Sequence, residues 1–106
     1  MTRQIIGNVT KHNVGGGRYS YYITLRRKYV KDYVKDGDPI IVKAHKMCYR
    51  TEDRIKCVPF EAEWCATVVR FGTTLRVNIP IDIVRAWGIS DRMMIVADII
   101  RMEDAE

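Results

Sequence analysis

The sequence predicts a mostly β fold with short helices, on three observations: short alternating apolar and polar stretches, turns marked by glycine or aspartate, and a pattern that occurs twice. Ile23-Thr24-Leu25 followed by Tyr29-Val30 matches Val77-Asn78-Ile79 followed by Ile83-Val84, 54 residues later. Carried on without a gap, that register sets Lys31 against Arg85, Tyr33 against Trp87 and Ile40-Ile41-Val42 against Met94-Ile95-Val96, apolar on apolar. With 106 residues, 47% of them hydrophobic, the chain is long enough for one core and too short for two ordinary independent domains. One cooperative unit is expected, organised as a first half-domain over residues 1–46, a linking hairpin over 47–63 and a second half-domain over 64–106.

Each copy reads as hairpin, short helix, strand. In the first, Ile5 to Lys11 and Tyr19 to Leu25 form the hairpin around a turn over His12 to Gly17, where Gly15-Gly16-Gly17 supplies positive φ angles at low steric cost. Arg26 to Lys35 is expected as a basic amphipathic helix, with Tyr29, Val30, Tyr33 and Val34 on one face and Arg27, Lys28, Lys31 and Lys35 elsewhere. Asp36-Gly37-Asp38-Pro39 ends it and turns the chain into a strand from Ile40 to Ala44. The second copy has Cys65 to Phe71, a shorter turn at Gly72-Thr73-Thr74, and a strand from Leu75 to Ile79. Pro80 fits the first turn of a helix running to Trp87, Gly88 stops it, and a strand from Met93 to Ile100 follows. Between the copies a charged turn, Arg50 to Arg54, is flanked by alternating stretches such as Ile55 to Phe60.

Charge is distributed unevenly. The formal net charge is +5, yet Met1 to Arg50 holds 11 Lys/Arg against 3 Asp/Glu, while Thr51 to Glu106 holds 7 against 10. The first half is therefore suited to a polyanion, and the two halves attract each other. Cys48, Cys57 and Cys65 have no Cys-x-x-Cys spacing and no histidine placed to complete a zinc site, so no metal and no other cofactor is expected. The thiols are expected reduced, with a cystine between Cys48 and Cys57 left open. No apolar run long enough to span a bilayer and no leader pattern occurs, which points to a cytoplasmic protein without a membrane partner. His12 and His45 sit in no nucleophile or metal arrangement, and Gly15-Gly16-Gly17 lacks the Lys-Ser/Thr of a phosphate loop, so an enzyme is not expected.

The stretch from Thr67 to Arg101, centred on Arg76-Val77-Asn78-Ile79-Pro80 and the stop Trp87-Gly88-Ile89, resembles the AbrB/MazE (SpoVT-AbrB) DNA-binding family, and Val9 to Lys43 carries a weaker version. The first copy keeps the family's Gly-Asp as Gly37-Asp38 but has Arg26 in place of the helix-starting proline. The second keeps Pro80 but has Asp91-Arg92. The resemblance implies a swapped-hairpin β-barrel in which the tandem half-domains form an intramolecular pseudo-dimer, further homo-dimerisation remaining open. It also implies a nucleoid-associated transcriptional regulator that contacts double-stranded DNA through basic residues on the hairpins and around the helix starts. The matching positions are Arg70, Arg76 and Arg85 in the second copy, and Lys11, Arg18, Arg26, Arg27, Lys28 and Lys31 in the first. Arginine suits this work because its planar fork grips phosphate or guanine in two places. A bland role for Arg76 is a local salt bridge, with Asp82 as the nearest choice in sequence. Trp64 and Trp87 read as core. The alternatives are an antitoxin-like module that binds a toxin, for which Met102 to Glu106 is a very short tail, and an architectural or single-strand nucleic-acid binder that uses Tyr19, Tyr21 or Tyr22.

Overall fold

Alternation along the first strand sets the two faces of the sheet. Ile5, Gly7 and Val9 are buried while Gln4, Ile6 and Asn8 are exposed, the period of two that a half-buried strand requires. In the computed structural model, whose described residues are 2–105, strands hold 62% of those residues and helices 13%, so the core is built by the sheet. The order is β1 (Arg3–Gly15), β2 (Arg18–Leu25), α1 (Arg27–Val30), β3 (Pro39–Arg50), β4 (Ile55–Thr67), β5 (Val69–Phe71), β6 (Thr74–Ile79), α2 (Ile81–Trp87), β7 (Met93–Arg101) and a closing 3₁₀ turn, Met102–Asp104. Met1 and Glu106, the outer ends of the two expected half-domains, lie outside the described residues. No helix among the described residues is long and apolar enough to cross a membrane.

The seven strands form one antiparallel sheet in the order β4-β3-β7-β1-β2-β6-β5. Two long segments organise it. β1 pairs with β7 from Arg3 to Asn8 and with β2 from Val9 to Gly15, changing partner midway. β4 and β5 stand at opposite ends of the sheet order, yet only the fully buried Val68 separates them in the chain, so the sheet curls until its ends meet. The Val68 N–H donates to the Asp38 carbonyl at 2.8 Å, and the Val68 carbonyl accepts from the Gly37 N–H at 2.7 Å, which pins this bend to the turn before β3. Ile5, Ile23, Ile40, Phe60, Val77, Ile95 and Ile99 are wholly enclosed inside the curl. Each such side chain contributes about 1.5–3 kcal/mol on burial.

Gly7 lies just before the point where β1 changes partner. A Cβ placed there would lie 2.4 Å from both the Ile23 Cγ2 and the Thr24 carbonyl oxygen, and the second of these is backbone that cannot swing aside. Ala66, likewise small and buried, precedes the bend at Val68.

The structure corrects several expected boundaries. The helix foreseen over Arg26 to Lys35 closes after four residues, because Lys31 turns to an extended conformation and Asp32 takes a φ of 62°. Arg26 offers no side-chain cap, Arg27 and Lys28 put positive charge in the first turn against the helix dipole, and nothing acidic offsets them. Val30, Tyr33 and Val34 are buried all the same, held by a turn instead of a helix. α2, by contrast, has Pro80 before it, Asp82 in the first turn, Arg85 in the last and Gly88 at φ 63° as its stop, and it completes its seven residues. The first hairpin's strands run on to Gly15, so its turn narrows to Gly16 and Gly17. β3 extends to Arg50 where a strand ending at Ala44 was expected, and with β4 it forms a long hairpin closed over Thr51 to Arg54. Finally, β3 turns Ile40, Val42 and Ala44 inward and β7 turns Ile95, Ala97 and Ile99 inward, a spacing of 55 and not 54.

Cys48 and Cys57 face each other across the β3–β4 hairpin and are joined by a disulfide, with Cα atoms 4.0 Å apart; Cys65 is free and exposed. The alternative left open for these two thiols is therefore the one present. Reducing the bond, or replacing both cysteines by serine, is expected to lower stability by roughly 2–3 kcal/mol from loop closure. A denaturant midpoint unchanged by reductant would contradict that. Gly7→Ala is expected to cost about 1–3 kcal/mol through overpacking, read as a lowered urea midpoint at constant slope.

Candidate nucleic-acid interface

The face of the β1-β2-β6-β5 layer that points away from Ile23, Leu25 and Val77 carries an unusual residue. Strand alternation puts Tyr22 and Thr24 of β2, Arg76 of β6, and Val69 and Phe71 of β5 on this side, with Thr24 and Val69 paired directly to Arg76. The Arg76 guanidinium lies between two rings, its Cζ 3.9 Å from the Tyr22 centroid and 3.8 Å from that of Phe71. His12 meets Phe71 edge-on at 6.0 Å. Arg76 is only 8% exposed, and its Nε has no hydrogen-bond partner among the described residues. Ring faces attract a cation by about 0.5–2 kcal/mol each but do not neutralise its charge. The local salt bridge with Asp82 is absent among the described residues.

The remaining expected contact residues fall into separate groups. Arg26, Arg27, Lys31 and Arg70 border one open groove between α1 and the β5–β6 turn. Arg18 opens β2 beside the glycine turn, and Lys11 stands with its Nζ 4.1 Å above the Tyr19 ring; both belong to the opposite end of β2 from that groove. Lys28 lies over Tyr29 at 5.1 Å, and Arg85 is exposed on α2. Thus the structure unites four of the nine, buries Arg76 under aromatic rings and leaves the others dispersed.

Acidic residues also border the groove, but backbone groups occupy two of them: Asp36 accepts the Arg70 N–H at 3.0 Å and Asp38 the Lys35 N–H at 2.9 Å. The ion pairs lie elsewhere, as Lys43–Glu63 at 4.0 Å, His45–Asp98 at 2.8 Å, and Arg101 with Glu103 at 3.6 Å and Asp104 at 2.9 Å. The Asp104 hydrogen bond raises the Arg101 pKa above its ordinary value and ties that cation to its own carboxylates. None of the nine expected contact residues takes part in a salt bridge among the described residues.

Sequence reasoning named Arg76 but missed Phe71 and His12, its aromatic company. The available signal was the two-residue turn Gly72-Thr73, which puts Phe71 opposite Thr74 and hence on the face of Arg76. Trp64 is core, its Nε1–H donating to the Asn78 carbonyl at 3.0 Å; Trp87 is 38% exposed, edge-on to Phe60 at 5.0 Å. Comparison of the chain with protein-family models, with curated proteins and with solved structures finds no match.

A double-mutant cycle over Arg76→Met and Phe71→Leu tests the stack directly. A coupling of about 0.5–2 kcal/mol in unfolding free energy is expected, and additive effects would mean that the ring does not hold the cation.

Proposed function

We propose that the protein binds double-stranded DNA and acts as a transcriptional regulator, using the two-half-domain architecture of the AbrB/MazE type. The single observation that carries this reading is the gathering of Arg26, Arg27, Lys31 and Arg70 along one open groove, none of them ion-paired among the described residues. Cations brought together in this way without carboxylate partners are suited to negative charge supplied from outside. Phosphates along a duplex supply it, releasing counterions as they bind. The groove of Arg26, Arg27, Lys31 and Arg70 would hold backbone phosphates, and Arg76 would stand where the sheet face meets the DNA.

Two registers support the pseudo-dimer. Ile23 pairs directly with Val77, its counterpart at a spacing of 54, and Lys43 pairs with Asp98, its counterpart at 55. Residues related by a local twofold axis must face each other in this way on the strands that the axis crosses. Ile5, Gly7 and Val9 likewise correspond to the inward Trp64, Ala66 and Val68 at a spacing of 59. In this reading β4 and β5 together are the second copy's first strand, and the disulfide-closed β3–β4 hairpin joins the copies.

Fluorescence anisotropy with random duplex DNA tests the proposal. Affinity is expected to fall linearly with salt on a log–log plot, with a slope of about −0.9 per neutralised phosphate. Replacing Arg26, Arg27 and Lys31 by alanine is expected to flatten that slope by about one unit per lost contact. Arg18→Ala/Arg76→Ala is expected to weaken binding further. Absence of binding at low salt would reject a DNA ligand and turn attention to a protein partner such as a toxin.

A further inference from the structure

Phe71 is a large aromatic ring held in the open. It is 52% exposed two residues before Thr73 in the short β5–β6 turn, and Val69, 38% exposed, continues the same apolar strip. Neither side chain contributes to the enclosed core. The ring nevertheless has neighbours: one face lies on the Arg76 guanidinium at 3.8 Å, and His12 meets it edge-on at 6.0 Å. Tyr22 backs the guanidinium from its other side at 3.9 Å, so three planar groups are layered behind an exposed edge. The exposed part of the ring gains nothing from contact with water, whereas a ring stacked beside a cation is prepared for insertion between flat apolar surfaces.

We propose, building on the DNA-binding reading above, that Phe71 is a wedge that enters a base step of the bound duplex and kinks it, with Arg76 held beside it for the strand it displaces. Base steps in a duplex are flat, apolar and flanked by phosphates, which matches a ring stacked on an arginine that has no ion pair among the described residues. Arg70 lies on the other face of the same short strand and borders the groove with Arg26, Arg27 and Lys31, so phosphate contacts would reach the DNA around the sheet edge that β5 forms. Apolar wedges of this kind partly unstack a step and bend DNA by about 20–90°. Bending is then a second property of the complex, separable from the salt-dependent contacts that hold it.

The test uses the full chain and a duplex of about 30 base pairs carrying a donor and an acceptor dye at its ends, with one pyrimidine–purine step at its centre, which deforms most readily. Saturating wild-type protein is expected to raise energy transfer by shortening the end-to-end distance. Phe71→Ala, compared at saturation, is expected to leave the duplex as straight as free DNA, and Phe71→Leu, which keeps an apolar wedge, to restore most of the bend. Circular dichroism and a denaturant midpoint verify that both variants are folded. Wild-type binding without shortening, or equal bending by Phe71→Ala, would overturn the wedge while leaving DNA binding intact. Loss of single-strand affinity in Phe71→Ala with no duplex bending would also overturn it, in favour of a stacking platform. No duplex binding by wild type at low salt would reject both readings together.

Discussion

The structure depends on two segments that each serve two partners. β1 leaves β7 for β2 beyond Asn8, and the β4–β5 segment leaves β3 for β6 at Val68. Without those crossings the chain would be two unconnected ladders, each with an exposed apolar face. The first demands that backbone pass very close to backbone, which is why Gly7 faces the Thr24 carbonyl with no room for a methyl group. The second demands a bend in a strand, and Gly37 and Asp38 supply the hydrogen bonds that the interrupted ladder lacks. One small core therefore encloses side chains from both halves of the sequence.

The same curl positions the charges. Because inward places go to Ile, Val, Leu and Phe, the outward side of β2, β5 and β6 is left with Thr24, Tyr22, Arg76 and Phe71. Among the described residues, ion pairing is confined to the region around β3, β7 and the closing 3₁₀ turn, where Lys43, His45 and Arg101 meet carboxylates. The separation fits the halves of the sequence: the first is rich in cations, and part of the acidic surplus of the second meets Lys43, His45 and Arg101.

Much of this was legible from residue order alone, where local chemistry decides the outcome. The Pro80-to-Gly88 helix, the hairpin turn at Gly72-Thr73 and the strand alternation of Tyr21, Tyr22 and Ile23 all follow from backbone preferences that act within a few residues. The first helix was misread because Tyr29, Val30, Tyr33 and Val34 satisfy helical spacing, whereas one helical turn followed by a turn at Asp32 also buries Val30, Tyr33 and Val34. The one-residue change of spacing before β7 was hidden because Met94, Ile95 and Val96 are all apolar, so periodicity could not say which of them point inward. The role of Gly7 and the stack on Arg76 depend on strands distant in sequence, and no window along the chain contains them.

Amide chemical shifts of the isotope-labelled protein, titrated with duplex DNA at low salt, test the central claim most directly, because they locate the ligand on the fold without altering any residue. The account predicts that the largest changes fall on Tyr22, Thr24, Val69, Phe71 and Arg76 and on Arg26, Arg27 and Lys31, with the disulfide-closed end of the β3–β4 hairpin unmoved. Changes concentrated on that hairpin instead, or none at all, would contradict it.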